Sequence, residues 1–188
     1  SPCTSWSRAR RHDGKGPPPL RSDEHLWGLA GLNLKDQARV KSGNNHLLFS
    51  LRVFRLCHRM GIPVTIENPS TSRMWLVRQI QQLCSCSGVK WLTTDYCQDG
   101  KPWRKRTGLL TSGVDLALAV RKCESKNGVC SFSGRKHVQL VGQCNGQFRT
   151  LAAQPYPHGL CRRVAIAYSH VIFDYWARPL MSMIGFTS

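Results

Sequence analysis

The sequence predicts an α/β domain in which helices flank a mostly parallel sheet. Its 188 residues are one domain's worth of chain, and its 41% apolar content is enough to fill a single core. A helical apolar pattern, a glycine and a β-branched run follow one another between residues 43 and 66, and a second helical pattern precedes an apolar run that ends at residue 94. Because helices alternating with short apolar strands are typical of a covered parallel sheet, residues 1–188 are treated as one domain.

The first predicted helix occupies residues 43–60. Its apolar residues recur at helical spacing, whereas Arg52, Arg55 and Arg59 share another face. A glycine ends this helix, and the β-branched run over 63–66 is then suited to a buried strand.

A second helix and two further strands are predicted in the middle of the chain. Ser72 is placed to cap a helix that runs through Leu83, because a serine oxygen can accept a bond from the first free amides. The apolar runs at 89–94 and 107–111 predict the next two strands.

The remaining segments are less regular. Residues 8–42 combine arginines and lysines with glycines and a triple proline, which predicts a mobile basic loop. Residues 113–150 predict an irregular segment that contains cysteine and histidine. An amphipathic pattern predicts a last helix over 158–178, ended by Pro179.

The charge balance predicts a polyanionic partner. Lysine and arginine outnumber aspartate and glutamate by 27 to 10, which gives a net charge of +17. Binding to such a surface releases counterions from nucleic acid, so DNA is the predicted partner, with RNA as an alternative. A basic soluble protein with no such partner fits the same composition.

The cysteines and the apolar runs indicate the cellular compartment in which the protein is expected. Nine cysteines, an odd number, are spread along the chain, and no charged leader precedes an apolar core. These features predict reduced thiols in an intracellular protein of the nucleus or cytoplasm. No apolar run reaches the roughly 18 to 20 residues that span a bilayer, so no membrane contact is expected. The oligomeric state stays open.

Four segments are similar, in order, to motifs of one enzyme family. Pro2-Cys3-Thr4-Ser5-Trp6-Ser7 resembles the Pro-Cys-x-x-Phe-Ser nucleophile loop of the DNA cytosine-5 methyltransferases, and Glu67-Asn68-Pro69 resembles their Glu-Asn-Val motif. The segment 95–107 resembles Tyr-Gly-x-Pro-Tyr-Arg-Lys-Arg-Thr of methyltransferase-like proteins from large viruses, phages and mobile elements. The segment 155–165 resembles the family's last helix. The resemblance implies a partial Rossmann-like sheet, as in a truncated methyltransferase fold.

The resemblance implies roles for three residues. Cys3 would be the thiolate that adds to C6 of a flipped cytosine, although an isolated cysteine is usually an inert thiol. Glu67 would engage N3 and the amino group of the base. Lys105 takes the place of the first arginine in the family's Gln-x-Arg-x-Arg motif, which is only partly kept.

The expected DNA contacts lie in the two loops that carry these motifs. In the family, the segment after the nucleophile closes over the base and touches phosphates, whereas a solvated linker is the alternative for the basic loop. A tryptophan in the second loop could stack on a base or pack in the core, and its arginines could meet the base, a phosphate or solvent. The residues assigned to DNA are Pro2, Ser7, Arg8, Arg10, Arg11, Asn68, Trp103, Arg104 and Arg106.

The resemblance also implies S-adenosylmethionine as the methyl donor. The family places its cofactor-binding strand and Phe-x-Gly-x-Gly loop before the nucleophile, where this chain has two residues, and no strand followed by Gly-x-Gly occurs elsewhere. Such a turn lets the backbone approach the cofactor. Cofactor-binding residues are therefore unassigned, and the chain is expected to be inactive alone, as a truncated piece or a decayed copy.

A metal site is the remaining candidate. Cys123, Cys130 and His137 resemble a Cys, Cys, His set in the viral relatives, and Cys97 or Cys144 could complete four ligands for zinc. The alternative is a set of unrelated reduced thiols. Three functions follow: a methyltransferase-like catalytic part, a non-catalytic nucleic-acid-binding remnant of a retroelement or viral polyprotein, and a zinc-stabilised interaction domain.

Overall fold

The computed structural model describes residues 2–10, 17–144 and 147–183, with side chains described within 4–10, 17–143 and 147–173. The helices in these ranges are α1 (Leu34–Arg59), α2 (Arg78–Cys84) and α3 (His158–Met183). The strands are β1 (Val64–Pro69), β2 (Val89–Asp95), β3 (Arg106–Ser112), β4 (Gln143–Cys144) and β5 (Gln147–Phe148). Short 3-10 helices cover Pro2–Trp6, Arg73–Leu76, Tyr96–Asp99 and Arg149–Ala153.

The main sheet has three strands in the order β1, β3, β2, and both of its pairings are antiparallel. Val64 and Val89 both lie opposite Ser112, so β1 and β2 run in the same direction on either side of β3. The mixture of helices and strands is confirmed, but the described strands do not form the mostly parallel sheet that the sequence predicts. Apolar runs show where strands lie and carry no signal that the last strand inserts between the first two.

Helices cover both faces of this sheet. On one face, α1 and α2 pack on a buried cluster that includes Trp6, Leu51, Phe54, Ile80 and Leu110. On the other face, residues of α3 pack against a second cluster that comprises Leu109, Val114, Leu116 and Ala119. Within the described ranges, every helix is too short or too polar to cross a membrane.

Helix α1 begins nine residues before the predicted helix and takes up the end of the predicted basic loop 8–42. Asn33 caps it, because the Asn33 side chain accepts a hydrogen bond from the Asp36 amide at 2.9 Å. Residues 34–42 are therefore helical. Most apolar residues of the helical pattern lie after residue 46, so this pattern alone does not predict that α1 begins at Leu34.

Arg21, which lies in that predicted loop, is a core residue. Its guanidinium carbon lies 3.6 Å from the centre of the Trp6 ring, and the residue as a whole is only 1% exposed. It donates hydrogen bonds to the Ser5 carbonyl (3.1 Å), the Leu26 carbonyl (2.6 Å) and Asn44 Oδ1 (2.7 Å). Burial lowers the pKa of Arg21 to about 10. This contact ties the chain after the first 3-10 helix to the start of α1.

Helix α3 continues past Pro179, so the prediction that this proline ends the helix is wrong. A proline removes one backbone hydrogen bond and crowds the preceding turn, which costs about 3 kcal/mol but does not by itself stop a helix. The predicted irregular segment 113–150 holds the short β4 and β5 pair and otherwise turns and loops.

Candidate metal centre and carboxylate site

Four side chains from distant parts of the sequence meet after the end of β2. Cys97 lies in the 3-10 helix that follows β2, whereas Cys123, Cys130 and His137 come from the loop after β3. Their ligand atoms all lie within 4.8 Å of one another. The Cys123 and Cys130 sulfurs are 3.9 Å apart, and His137 Nε2 lies 3.7 Å from Cys123 Sγ. We call these four residues the metal-site cluster.

A tight turn folds the loop so that its ligands converge. Asn127 and Gly128 have φ values of +50° and +77°, and Lys126 and Val129 bridge across them. Two central residues with positive φ are typical of a type I′ turn, for which Asn-Gly is the favoured pair. The Gly128 carbonyl then accepts the His137 amide at 2.9 Å, which returns the chain to the cysteines.

Polar residues around the cysteines position them through a network of hydrogen bonds. Gln98 Nε2 donates to Ser131 Oγ at 3.2 Å, and the Ser131 hydroxyl donates to Cys123 Sγ at 3.6 Å. The Cys123 amide donates to Asp95 Oδ2 at 2.8 Å. Asp95 is fully buried and also accepts Arg106 Nε (2.9 Å) and Nη2 (2.7 Å). This second layer fixes the orientation of ligands, as it does in metal sites.

The three thiols have unequal acidities. Burial and hydrogen bonds with the other two sulfurs raise the pKa of Cys97 to about 12. Burial also opposes ionisation of Cys130, but hydrogen bonds from the Ser133 and Phe132 amides outweigh it and lower the pKa of Cys130 to about 7. Cys130 therefore ionises more readily than an ordinary thiol, and the thiolate is the form that binds a metal.

Two separations within the cluster are close to those between the ligands of a tetrahedral zinc site. Zn–S bonds of about 2.3 Å and Zn–N bonds of about 2.0 Å place tetrahedral ligands about 3.6 to 3.8 Å apart. The observed separations of 3.9 Å and 3.7 Å match these values. Cys97, Cys123 and Cys130 are all buried, and water is thereby kept from three of the four ligands. The four residues could hold a metal ion.

The second site is centred on Glu67, near the end of β1. Tyr156 donates its hydroxyl to Glu67 Oε2 at 2.5 Å. Glu67 Oε1 is buried and has no hydrogen-bond partner among the described residues. A carboxylate that keeps one oxygen without a donor is ready to accept a hydrogen bond from a ligand, because an unmet acceptor carries a desolvation cost.

Lys105 lies beside this site and contacts two tyrosines. Its ammonium donates to the Ala153 carbonyl at 3.0 Å and to the Tyr96 hydroxyl at 3.3 Å. It lies 4.6 Å from the centre of the Tyr96 ring and 5.9 Å from that of Tyr156. Burial, and to a lesser extent the charge of Glu67, raise the pKa of Tyr96. We call Glu67, Tyr96, Lys105 and Tyr156 the carboxylate site.

The metal-site cluster and the carboxylate site are connected through the same backbone segments. Tyr96 and Cys97 are consecutive residues, and one belongs to the carboxylate site and the other to the metal-site cluster. The amide of Val138, which follows His137, donates to the Pro102 carbonyl at 2.8 Å. The loop that leads to Lys105 is thus held at Pro102 by a residue next to a member of the metal-site cluster.

The side chain of Cys3 lies outside the described side chains, so its proximity to Glu67 stays a prediction. Its backbone belongs to the 3-10 helix Pro2–Trp6. Asp23 bridges Arg8, just after this helix, at 2.6 Å and Arg73, just after β1, at 3.0 Å. That bridge brings the end of the first 3-10 helix towards the end of β1 that carries Glu67.

The basic residues assigned to DNA near the chain start are largely engaged within the protein. Besides the bond between Arg8 and Asp23, Arg10 Nε donates to the Pro18 carbonyl at 2.7 Å, and its side chain lies 3.7 Å from Asp36. Burial lowers the pKa of Arg10, although Asp36 opposes this effect. Arg11 and the side chain of Pro2 lie outside the described part.

The other residues assigned to DNA divide into structural and accessible ones. Arg106 is structural, because it pairs with the buried Asp95, whereas Arg104 is exposed and lies 4.0 Å from Asp95. Trp103 is half-buried, and its indole nitrogen is enclosed with no partner among the described residues. Two smaller side chains have local partners: Ser7 Oγ accepts the Ala9 amide at 3.1 Å, and Asn68 Nδ2 lies 3.6 Å from Met74 Sδ.

Sequence reasoning missed the two tyrosines of the carboxylate site. Tyr96 precedes a predicted metal ligand and Tyr156 lies in a proline-rich turn, so neither belongs to an apolar repeat. The structure brings together all four predicted metal ligands, with Cys97 as the fourth; the Cys144 side chain lies outside the described ones.

No protein-family model, no curated protein and no solved structure matches the chain. The function of the chain therefore has to be inferred from these two sites and from its charge.

Proposed function

We propose that the chain is the catalytic part of a DNA cytosine-5 methyltransferase-like domain in which Glu67 binds the target base. The observation that carries the proposal is the asymmetry of the Glu67 carboxylate. Tyr156 holds one oxygen, while the other is buried without a donor among the described residues. The amino group and a protonated ring nitrogen of cytosine are donors of the kind that this oxygen lacks.

Each residue of the site has a distinct task in this proposal. The Cys3 thiolate forms a bond to C6 of the base, and the electron pair of the C5–C6 double bond moves onto C5 and is shared through C4 with N3, where Glu67 stabilises it. Lys105 supplies a positive charge beside the pyrimidine, and Tyr156 positions Glu67. S-adenosylmethionine, when bound, would supply the methyl group for C5.

Hydrogen exchange at C5 tests this assignment without a methyl donor. After the thiolate adds to C6, C5 takes a proton from water; loss of the original hydrogen from C5 and expulsion of the thiolate then restore the ring. We expect the chain to replace deuterium by hydrogen in duplex DNA that carries 5-deuterated cytosine, as measured by mass spectrometry of the released nucleosides.

Two pairs of variants make the exchange experiment specific. Cys3→Ser and Glu67→Gln should each abolish exchange, since the first removes the nucleophile and the second the carboxylate. Cys84→Ser and Glu24→Gln alter an exposed thiol and an exposed carboxylate elsewhere and should leave it unchanged. Salt-sensitive DNA binding without exchange would favour the binding-only remnant over the catalytic part.

A second function is favoured by the metal-site cluster: a structural zinc centre. Three buried cysteines and one histidine would supply four protein ligands to one ion and leave no open position for a substrate or water, which is typical of structural rather than catalytic zinc. Purified protein should contain one zinc per chain by mass spectrometry. Cys123→Ser should lower that content, whereas Cys161→Ser, at an exposed thiol, should not.

A further inference from the structure

Helix α1 carries apolar side chains on two opposite faces. Leu47, Leu51 and Phe54 face the core and are at most 3% exposed. A second apolar set faces away from the core, and its members have between 37% and 67% of their surface exposed. We call this set the outer stripe: it consists of Phe49, Val53, Leu56 and Met60.

The outer stripe is continuous along the helix. Its residues are spaced at i, i+4, i+7 and i+11, which places them within a sector of about 60° and along about 16 Å of helix. Single exposed apolar residues are common, whereas a contiguous exposed set marks an interaction surface. The outer stripe is not part of the core, because α1 packs on the core through the opposite face of the helix.

Cations border the stripe on one side. Arg52 and Arg59 are exposed, lie about 70° to 90° from the stripe centre, and make no ion pair among the described residues. The acidic residue of α1 is Asp36, which lies more than three turns before Phe49 and is already paired with Arg39 at 2.8 Å. A partner that covers the stripe therefore meets apolar area and unpaired positive charge together.

We propose that the outer stripe docks an acidic amphipathic helix of a partner protein. Apolar residues of that helix at i, i+4 and i+7 would pack on the stripe, and its carboxylates would face Arg52 and Arg59. A second copy of this chain is disfavoured by charge. In an antiparallel pair of α1 helices, the arginine border of one helix would lie beside the arginine border of the other, so cations would oppose cations. Each chain also carries a net charge of +17, which adds to the repulsion between two copies.

Synthetic helical peptides test the proposal with the intact chain. One peptide carries leucines at the stripe spacing with glutamates on both borders, a second has the same composition in scrambled order, and a third has lysines in place of the glutamates. Fluorescence anisotropy measures the affinity of each. We expect the first peptide to bind at least tenfold more tightly than the scrambled one, because charge alone would not distinguish them.

Variants on exposed positions locate the contact. Phe49→Ser with Leu56→Ser should weaken binding of the glutamate peptide at least tenfold, and Arg52→Glu with Arg59→Glu should shift preference to the lysine peptide. Leu118→Ser and Arg162→Glu change an exposed apolar residue and an exposed cation elsewhere and should have no effect. Circular dichroism checks that each variant keeps its helix content.

Three results would overturn the proposal. The first is equal affinity for the ordered and the scrambled acidic peptides. The second is binding that both double variants leave unchanged. The third is reversible dimerisation of the unmodified chain in sedimentation equilibrium that Phe49→Ser with Leu56→Ser abolishes, which would assign the stripe to a second copy. Cytosine exchange and zinc content do not depend on these residues, so failure here is distinguishable from failure of the proposed function.

Discussion

The buried guanidinium of Arg21 contacts neutral oxygens and the face of an aromatic ring rather than a carboxylate. It is buried against Trp6 and donates to main-chain and side-chain oxygens of three separate segments. Charge-assisted hydrogen bonds of this kind are stronger than neutral ones, and the planar fork of arginine can serve several acceptors at once. One side chain thus fixes the segment that carries the predicted nucleophile.

Replacing Arg21 by glutamine should destabilise the domain by about 2 to 4 kcal/mol, because several buried acceptors lose their donor. Urea unfolding followed by circular dichroism measures this change in the free energy of unfolding. Arg162→Gln, at an exposed arginine of α3, should change it by less than about 0.5 kcal/mol. Equal stability of the two variants would show that the Arg21 contacts contribute nothing.

Tyr156→Phe removes the hydroxyl that holds Glu67 Oε2. A hydrogen bond to a charged group contributes about 1.5 to 3 kcal/mol, so cytosine exchange should slow about tenfold or more. The rate of deuterium loss from duplex DNA measures the effect. Tyr168→Phe is the matched control, since Tyr168 hydrogen-bonds Thr65 at 2.7 Å and makes no described contact with Glu67. Unchanged exchange in Tyr156→Phe would mean that Glu67 needs no such support.

Among the elements, the 3-10 helix Tyr96–Asp99 links the two sites. Tyr96 contacts Lys105, and Cys97 contacts the other cysteines. Asp99 pairs with Arg163 of α3 through two oxygens at 2.6 Å and 2.9 Å. Four consecutive residues therefore connect the sheet, the metal-site cluster and the last helix, so an ion at the cluster would brace the carboxylate site.

If the metal-site cluster binds zinc as proposed, its removal by a chelator should loosen the loop 100–105, because the Pro102 carbonyl is held by the amide next to His137. We expect faster hydrogen exchange of the amides in this loop, together with weaker DNA binding, while the amides of β1 and β3 change little. Hydrogen-exchange mass spectrometry measures the first effect. Restoring one equivalent of zinc should reverse it; uniform loosening of the whole sheet would indicate global unfolding instead.

At the scale of the whole molecule, five of the ten acidic residues form ion pairs within the described part of the chain. Lysine and arginine outnumber aspartate and glutamate by 27 to 10, so cations stay in excess after these pairs, and the net charge is +17. This distribution favours a polyanion as partner. The paired acids are Asp23, Asp36, Asp95, Asp99 and Asp115.

Binding to a DNA duplex should weaken steeply with salt. If six phosphates are contacted, affinity should fall about a thousandfold between about 50 and 200 mM salt, because each contact releases counterions. Fluorescence anisotropy across this range gives the slope, and an RNA duplex of the same sequence shows whether RNA serves equally. Affinity that is indifferent to salt would remove nucleic acid as the partner.

The sequence by itself determined the local elements. Apolar runs at 89–94 and 107–111 predict β2 and β3 to within one residue at each end, and β-branched side chains locate β1. The resemblance to viral relatives also predicted Cys123, Cys130 and His137 as metal ligands, with Cys97 or Cys144 as the fourth. The positions of the strands depend on neighbours in the chain, which a sequence displays directly.

Only the tertiary structure decided which elements and side chains meet. Insertion of β3 between β1 and β2 makes both pairings antiparallel, and nothing in a single strand's pattern specifies its neighbour. Tyr156 reaches Glu67 across 89 positions of sequence. Arg21, which composition assigns to a mobile basic loop, is buried because its donors find acceptors that only the folded chain brings together.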